Sequence, residues 1–489
     1  MDTISSHSKE HALVFRLRQP ACGWSFAVLL AGFYVVTNLY ISSRRLLWFD
    51  EIYTAITCRM PDVHTILKSL AESQQQIPPL YFLIARVFDQ AFSHADFGMR
   101  VPSAFAFGAG MLVTFDIARR LTDGLYGLIA MSLLTTSFVT YYGYEARPYA
   151  IYFMLAAMGL WLWVATKDEN KAAAIAFGAL VFVGVSVHYY FVLCVVPFGI
   201  MALAEKRIFH PKAVAAAVGV SLSLAVSYVQ IAKTLAAAST GAIGTWGLPS
   251  VSLLQGIYVE IILRAILPLV LIAVGVVVFG VPRDRTVPAM SPSERVCWLF
   301  LMVPLAEYVL AHMLHGFMHN RYIIGAVPGV VVAVTCSFWR HCRESGFISL
   351  AVLVMVGGFG LSQHLRTLMR IDHIQATGAG DYQQQTRDML AMGETLQREG
   401  KRHIAVTDAV LYLEVWYYSK HPENYSLISP VWDFKRYAAL SFLSVKDIVA
   451  NARETAIVGP EPALIQMLER AGLHSRVRFI EPQYVVYLE

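Results

Sequence analysis

The sequence predicts an α-helical polytopic membrane protein with a small C-terminal α/β domain, and three observations predict it. Of 489 residues, 56% are hydrophobic and only 15% charged, with a mean hydropathy of +0.52; a soluble chain carries roughly 25% charged residues. Apolar segments recur near 22–42, 98–118, 124–141, 149–166, 171–187, 188–204, 213–235, 258–281, 295–314, 322–339 and 347–364, although several fall short of the ~20 residues that cross a bilayer and the pair at 171–204 shares a tight turn. Beyond residue 365 the long runs stop, and short strand-like and helix-like patterns alternate.

Taken in order, residues 1–21 are polar and moderately basic and read as a cytoplasmic N-terminus. The apolar run that follows lacks a small-residue cleavage site, so an uncleaved anchor is expected. Residues 22–364 then form a transmembrane domain of about eleven spans. Its orientation follows from the short basic connectors Arg119-Arg120, Lys167 to Lys171, Lys206-Arg207 to Lys212, Arg283 to Arg295 and Arg340 to Arg343. An even number of spans separates each connector from the next, so all can be cytoplasmic together, as the inside bias of Lys and Arg favours. Residues 78–92 are apolar but short and contain Arg86 and Asp89. Counting them as a span would turn the basic connectors outward, so they read as a helix lying in the interface, begun by Pro78-Pro79. The first outer loop is therefore 42–97.

Residues 365–489 read as an extracytoplasmic α/β domain, with strand patterns at His403–Thr407 and Tyr425–Ile428. A further strand at Thr455–Pro460 precedes a helical run over 461–472, and two more strands are expected within Arg476–Glu489. There is no internal repeat and no low-complexity linker. The six cysteines, Cys22, Cys58, Cys194, Cys297, Cys336 and Cys342, lie mostly in or beside apolar spans and show no CxxC spacing, which argues against a disulfide framework or a cysteine metal site. The net charge of +5 is accounted for by the cytoplasmic connectors, and no dense basic patch with interleaved aromatics points to nucleic acid.

On this topology the unusual polar residues gather on the outer side. Asp50 and Glu51 follow the first span within Trp48-Phe49-Asp50-Glu51, and Gln74-Gln75-Gln76-Ile77-Pro78-Pro79 lies in the same loop. Arg100 begins the second span. Tyr144, Glu145 and Arg147 lie in the second outer loop, His188 and Tyr189 in the next outer turn, and Arg321 and Tyr322 in a later one. Glu260 and Arg264 stand four apart on one helical face in the outer half of another span. Two adjacent carboxylates beside hydrocarbon are costly and suggest chemistry. Arginine grips phosphate with parallel charge-assisted hydrogen bonds, a carboxylate beside it suits general-base work, and tyrosines can stack on sugar rings. A lipid-linked phosphosugar would use all three.

Trp48-Phe49-Asp50-Glu51, Pro78-Pro79-Leu80-Tyr81-Phe82, Arg100-Val101-Pro102-Ser103-Ala104, Tyr144-Glu145-Ala146-Arg147-Pro148-Tyr149 and His319-Asn320-Arg321-Tyr322 occur in this order. Together they resemble the integral-membrane (type C) glycosyltransferases of the protein O-mannosyltransferase and aminoarabinose transferase superfamily, over about residues 20–365. The resemblance implies a polyprenyl-phosphate-sugar donor, inversion at the anomeric carbon and an Asp of the first outer loop as base. Asp50 matches that Asp, with Glu51 beside it. The chain departs from the family pattern at Ile77, where relatives often carry a His or a charged residue.

Each candidate has a plainer role to set against the chemical one. Asp50-Glu51 could be a solvated loop entrance, Glu145 and Arg147 could pair to close a tight turn, and Arg100 could snorkel as a helix-end anchor. Glu260 and Arg264 could be a structural ion pair, His188 a satisfied core histidine, and Glu307 a helix–helix hydrogen-bonding group. No His/Asp/Glu cluster has ligand spacing, so no metal and no cofactor beyond the lipid-phosphate-sugar substrate is expected. The expected function is transfer of a hexose or pentose at the outer face of a bacterial cytoplasmic membrane, in cell-envelope glycan or lipopolysaccharide modification. The acceptor would be a glycan, a lipid or a protein. A transporter or flippase of lipid-linked sugars is the first rival, although the inverted repeats and broken helices of transporters are not evident. A non-catalytic scaffold is the second.

Overall fold

Apolar runs become long helices wherever proline does not interrupt them, and proline marks several of their starts. The computed structural model describes residues 14–72, 77–167, 170–207, 209–239, 248–260, 288–314, 318–371, 382–428, 442–460, 462–480 and 483–488. Helix α1 (Pro20–Arg44) opens on proline and closes on a basic residue, the ends at which each is favoured. It is followed by α2 (Phe49–Cys58), α3 (Val63–Glu72), α4 (Pro79–Ala91), α5 (Val101–Leu121), α6 (Gly124–Thr135), α7 (Tyr149–Ala165) and α8 (Lys171–Val187). Then come α9 (Val196–Ala204), α10 (Pro211–Val226), α11 (Tyr228–Ser239), α12 (Val251–Tyr258), α13 (Pro292–Leu299), α14 (Val303–Leu314), α15 (Val327–Cys342) and α16 (Gly346–Met369).

The chain forms two compact units, one of residues Met1–Ser43 with Cys58–Met369 and one of Arg44–Thr57 with Arg370–Glu489. In the first, α5 packs along α7, α6 along α16, and α8 along α10. The α8–α10 approach depends on small residues, as helix contacts in membranes do. A Cβ on Gly219 would lie 2.3 Å from the Gly178 carbonyl oxygen.

Among the described residues, Pro20–Arg44, Gly98–Leu121, Pro292–Leu314, Asn320–Cys342 and Gly346–Met369 are long and apolar enough to cross a membrane. These coincide with five of the expected spans and make this an integral membrane protein. The other expected spans are modified. The one at 124–141 is bent by 75° between α6 and the 3₁₀ helix Phe138–Tyr144. Those at 149–166, 171–187 and 188–204 are shorter apolar helices. The one at 213–235 is divided at Ser227 between α10 and α11, and most of 258–281 lies outside the described residues. The helical membrane class is borne out, whereas the figure of eleven is not reproduced span for span. Residues 78–92 form the 13-residue α4, with Pro79 in its first turn.

The second unit carries α17 (Tyr382–Arg398), β1 (His403–Val406), α18 (Ala409–Tyr418), β2 (Tyr425–Leu427), α19 (Val445–Ala450), β3 (Thr455–Val458), α20 (Pro462–Arg470), β4 (Ser475–Ile480) and β5 (Gln483–Leu488). The strands form one sheet in the order β2-β1-β3-β5-β4. β1 runs parallel to β2 and β3, while β5 runs antiparallel to β3 and β4. Every strand read from the sequence is present. The core gathers Ala405, Ile448, Ile457, Leu468, Val486 and Leu488. The expected domain boundary at 365 takes no account of residues 44–57, which group with this C-terminal stretch and not with the remainder of the first outer loop.

Glu414 of α18 is buried in this unit and accepts the Thr386 hydroxyl at 2.8 Å. Burial pushes its carboxyl up to about 7, with Asp408 adding to the rise and the Thr386 and Phe49 hydrogen bonds opposing it. A raised carboxyl favours the protonated folded form, so its stabilising contribution is complete below pH ~4.5 and is lost as pH rises through about 7. Glu414→Gln is expected to be more stable than the parent at pH 8 and to lose that advantage at pH 4.5, read by thermal unfolding of the C-terminal unit's signal.

Candidate functional site

Asp50 and Glu51 lie in the first turn of α2, where carboxylates face the positive end of the helix dipole. They are not equivalent. Glu51 is fully buried and forms an ion pair with Arg45, whose side chain is also fully buried. Its carboxylate also accepts the Trp48 amide at 3.3 Å. That is the N3-to-N-cap half of a capping box. Asp50 is only half-buried. Their chemistry divides accordingly: Glu51 finishes the helix start, and Asp50 is the carboxylate with solvent access.

In the membrane unit, several expected residues converge on two short 3₁₀ helices, Tyr189–Val195 and Asn320–Ala326, which pack on each other and on α7. Each begins with a histidine whose Nδ1 faces the amide two residues on, His188 to Tyr190 at 3.3 Å and His319 to Arg321 at 3.5 Å. The Tyr152 hydroxyl joins the two turns, donating toward the carbonyl oxygens of Tyr322 at 3.0 Å and Tyr190 at 3.2 Å. Gly325 lets the second turn come this close: a Cβ there would lie 2.4 Å from Cys194 Sγ and 2.6 Å from the Tyr152 ring.

Onto this frame the chain places an aromatic cluster with two arginines. His188 stacks on Tyr152 (centroids 5.2 Å, planes 12° apart) and meets Tyr149 at 5.4 Å and Tyr322 at 5.5 Å. Tyr190 stacks on Tyr322 at 4.5 Å, and Tyr142 meets Tyr149 at 4.8 Å. The Arg147 and Arg321 guanidinium carbons lie 5.9 and 5.8 Å from the centre of the same Tyr149 ring, and Arg321 is also 5.6 Å from that of Tyr322. Arg147 is aimed by a tight turn in which its amide donates to the Glu145 carbonyl at 2.8 Å. Two guanidinium groups thus lie over one buried ring, and planar guanidinium groups on aromatic faces are the cations best shaped for phosphate.

The remaining candidates are placed differently. Arg100 is fully buried, not snorkelling, and donates to the Ser42 carbonyl at 2.9 Å near the C-terminal end of α1. Tyr144 is buried edge-on to Tyr141 at 5.3 Å. The Tyr189 hydroxyl turns to Gln230 at 2.8 Å, and Gln230 donates in turn to the Ile77 carbonyl at 3.0 Å. Arg264 lies outside the described residues. Glu260 accepts the Asn320 amide side chain at 2.7 Å, and Glu307 accepts the His319 backbone amide at 3.0 Å. These two carboxylates therefore hold the turn that carries Arg321, which extends the helix–helix role expected of Glu307. Tyr142 and Tyr190 lie in the outer-side runs read from the sequence but are not among the expected site residues, and neither is Tyr152. Tyr152 had a signal, because it stands one helical turn from Tyr149. Among the described residues no group of three or more His, Cys, Asp or Glu is placed to hold a metal ion.

The helical membrane unit and the small mixed-sheet unit have the type C fold of integral-membrane glycosyltransferases. Residues 76–230, which include Arg147 and His188, match the family model described as dolichyl-phosphate-mannose-protein mannosyltransferase. The structure is similar to that of ArnT from Cupriavidus metallidurans in the apo state, with a TM-score of 0.60 at 11% identity, covering 96% of this chain and 98% of that one. It is also similar to ArnT from the same organism bound to undecaprenyl phosphate, with a TM-score of 0.55 at 11% identity, covering 95% and 98%. No curated protein matches the sequence. The resemblance carried by the five motifs is borne out in the fold and in the family segment.

The frame makes a direct prediction. Tyr152→Phe removes the hydroxyl that serves both turns and leaves buried carbonyls without it, at a cost of about 1–3 kcal/mol. A lowered thermal midpoint of the purified protein in detergent is the expected result.

Proposed function

We propose that this protein is a membrane glycosyltransferase that moves one sugar from a polyprenyl-phosphate carrier to an acceptor nucleophile at the outer face of the cytoplasmic membrane. The observation that carries the reading is the pair of buried arginines on Tyr149, one of them inside the segment that matches the mannosyltransferase family model. Support for the lipid comes from the similarly folded ArnT, whose structure with undecaprenyl phosphate shows that this fold can hold such a carrier.

The chemistry is a single displacement with inversion. Asp50 takes the proton of the acceptor hydroxyl as its oxygen attacks the anomeric carbon. The bond from that carbon to the phosphate oxygen breaks, and its electron pair stays on the lipid phosphate. Arg147 and Arg321, with Arg264 as a further candidate, meet the negative charge that develops there; fixed cations lower that barrier because they need no reorganisation during the step. His188, Tyr190 and Tyr322 would line the sugar and carrier path. Glu51, engaged by Arg45 and the Trp48 amide, keeps the helix start in shape. The acceptor would be a glycan, lipid or protein of the cell envelope, and the sugar a hexose or pentose.

Asp50→Asn is expected to lower transfer by about 10²–10⁴-fold, the range of general-base contributions, without changing protein abundance or the affinity for undecaprenyl phosphate. Mass spectrometry of envelope glycolipids and glycoproteins from a deletion strain supplies the assay: the sugar that disappears should return with the parent gene and not with this variant. A carrier flippase would be indifferent to the substitution. Arg147→Ala and Arg321→Ala each remove charge-assisted bonds of about 1.5–3 kcal/mol, so undecaprenyl phosphate should bind roughly 10- to 100-fold more weakly in nanodisc titrations.

A further inference from the structure

The start of α2 is built in an unusual way. A helix leaves its first four amides without intrahelical acceptors, and a Ser, Thr, Asp or Asn at the N-cap usually serves one of them. Here the N-cap is Trp48, which has no acceptor to offer. Glu51 serves the Trp48 amide, and the amides of Leu46, Leu47 and Phe49, which lead into and open the helix, find their acceptors on α17 and α18. The Leu46 amide donates to Gln383 Oε1 at 3.3 Å, and the Leu46 carbonyl accepts the Tyr382 hydroxyl at 3.1 Å. The Leu47 amide donates to the Tyr418 hydroxyl at 2.5 Å. The Phe49 amide, immediately before Asp50, donates to the Glu414 carboxylate. The Trp48 side chain packs on Tyr382, with Leu46 and Phe49 beside it.

These acceptors are themselves fixed. Gln383 is fully buried, and the other end of its amide donates to the Ile371 carbonyl at 3.0 Å. Thr386 donates to Glu414 at 2.8 Å and also lies 2.8 Å from the Tyr382 carbonyl. Burying a glutamine is costly unless its amide is satisfied, and Gln383 is paired at both its oxygen and its nitrogen. A segment that merely packed against this domain could do so with apolar side chains alone. Several polar contacts on consecutive residues instead set the position and angle at which α2 begins.

We propose that Tyr382, Gln383, Glu414 and Tyr418 are positioning residues for Asp50, holding residues 46–49 from α17 and α18, so that the C-terminal unit is a working part of the transfer machinery. This rests on Asp50 acting as the base. A misplacement of about 1 Å in a reacting group can cost on the order of 10²-fold in rate, so loss of one contact should appear in turnover and not in carrier binding.

The test uses the full chain in nanodiscs with Glu414→Ala, Tyr418→Phe, Gln383→Ala and the conservative Glu414→Gln, whose amide oxygen can still accept from both Phe49 and Thr386. Tyr418→Phe deletes a single oxygen and guards against loss of fold. Hydrogen exchange over 46–52 is expected to rise about tenfold in the first three while β1 and β3 stay protected. Restoration of the missing envelope sugar should fall about 10- to 100-fold, with the affinity for undecaprenyl phosphate within about twofold of the parent. Glu414→Gln should recover both exchange and transfer. Unchanged exchange, or raised exchange with transfer at the parent's rate, overturns the positioning role alone. Transfer by Asp50→Asn at the parent's rate overturns the base reading and, with it, this inference.

Discussion

Asp50, Glu51, Arg100, Arg147, His188 and Arg321 stand at or near the start of a helix, where backbone amides lack intrahelical acceptors, and the local structure there follows from how those amides are satisfied. At depth in a bilayer, and in a dry protein interior, an amide without an acceptor is too costly to leave. His188 and His319 meet the need with a ring nitrogen, Glu307 with a carboxylate, Glu51 with a carboxylate that also binds Arg45, and Glu414 from a distant helix. In each case the group that satisfies the backbone also orients the residue next to it. Arg321 and Tyr190 are therefore placed by main-chain requirements.

The same logic explains the division of labour among the charges. Arg45, Arg100 and Glu51 are fully or almost fully buried against partners on the backbone or each other, and they hold the chain in place. Arg147 and Arg321 instead both lie over the Tyr149 ring, so the two guanidinium groups are gathered at one aromatic side chain.

Much of this was legible in the sequence because it rests on periodicity and residue type. The apolar runs gave the membrane class, and the short runs His403–Val406 and Thr455–Val458, each with Ile and Val, gave the central strands. The five ordered motifs gave the type C resemblance. Other features were not legible, for identifiable reasons. The break at Ser227 and the 75° bend after α6 leave hydropathy unchanged, so a window of apolar residues reads through them. The difference between Asp50 and Glu51 depends on which carboxylate points at Arg45, and adjacent acidic letters are equivalent until the helix phase is known. Tyr189 carried the same signal as Tyr190 but faces Gln230, because neighbouring residues on a tight helix point in different directions. The attachment of 46–49 to 382–418 is a contact across more than three hundred residues, which no local pattern encodes.

That last separation has a consequence for biosynthesis. The acceptors for Leu46 and Leu47 lie 337 and 371 residues further along the chain. While the ribosome is still making the spans between them, the Leu46 and Leu47 amides leave the translation machinery long before the side chains that accept them. A chain cut short before α18 would lack the Tyr418 hydroxyl and the Glu414 carboxylate that serve the Leu47 and Phe49 amides, and would keep the contacts the acidic turn makes with itself.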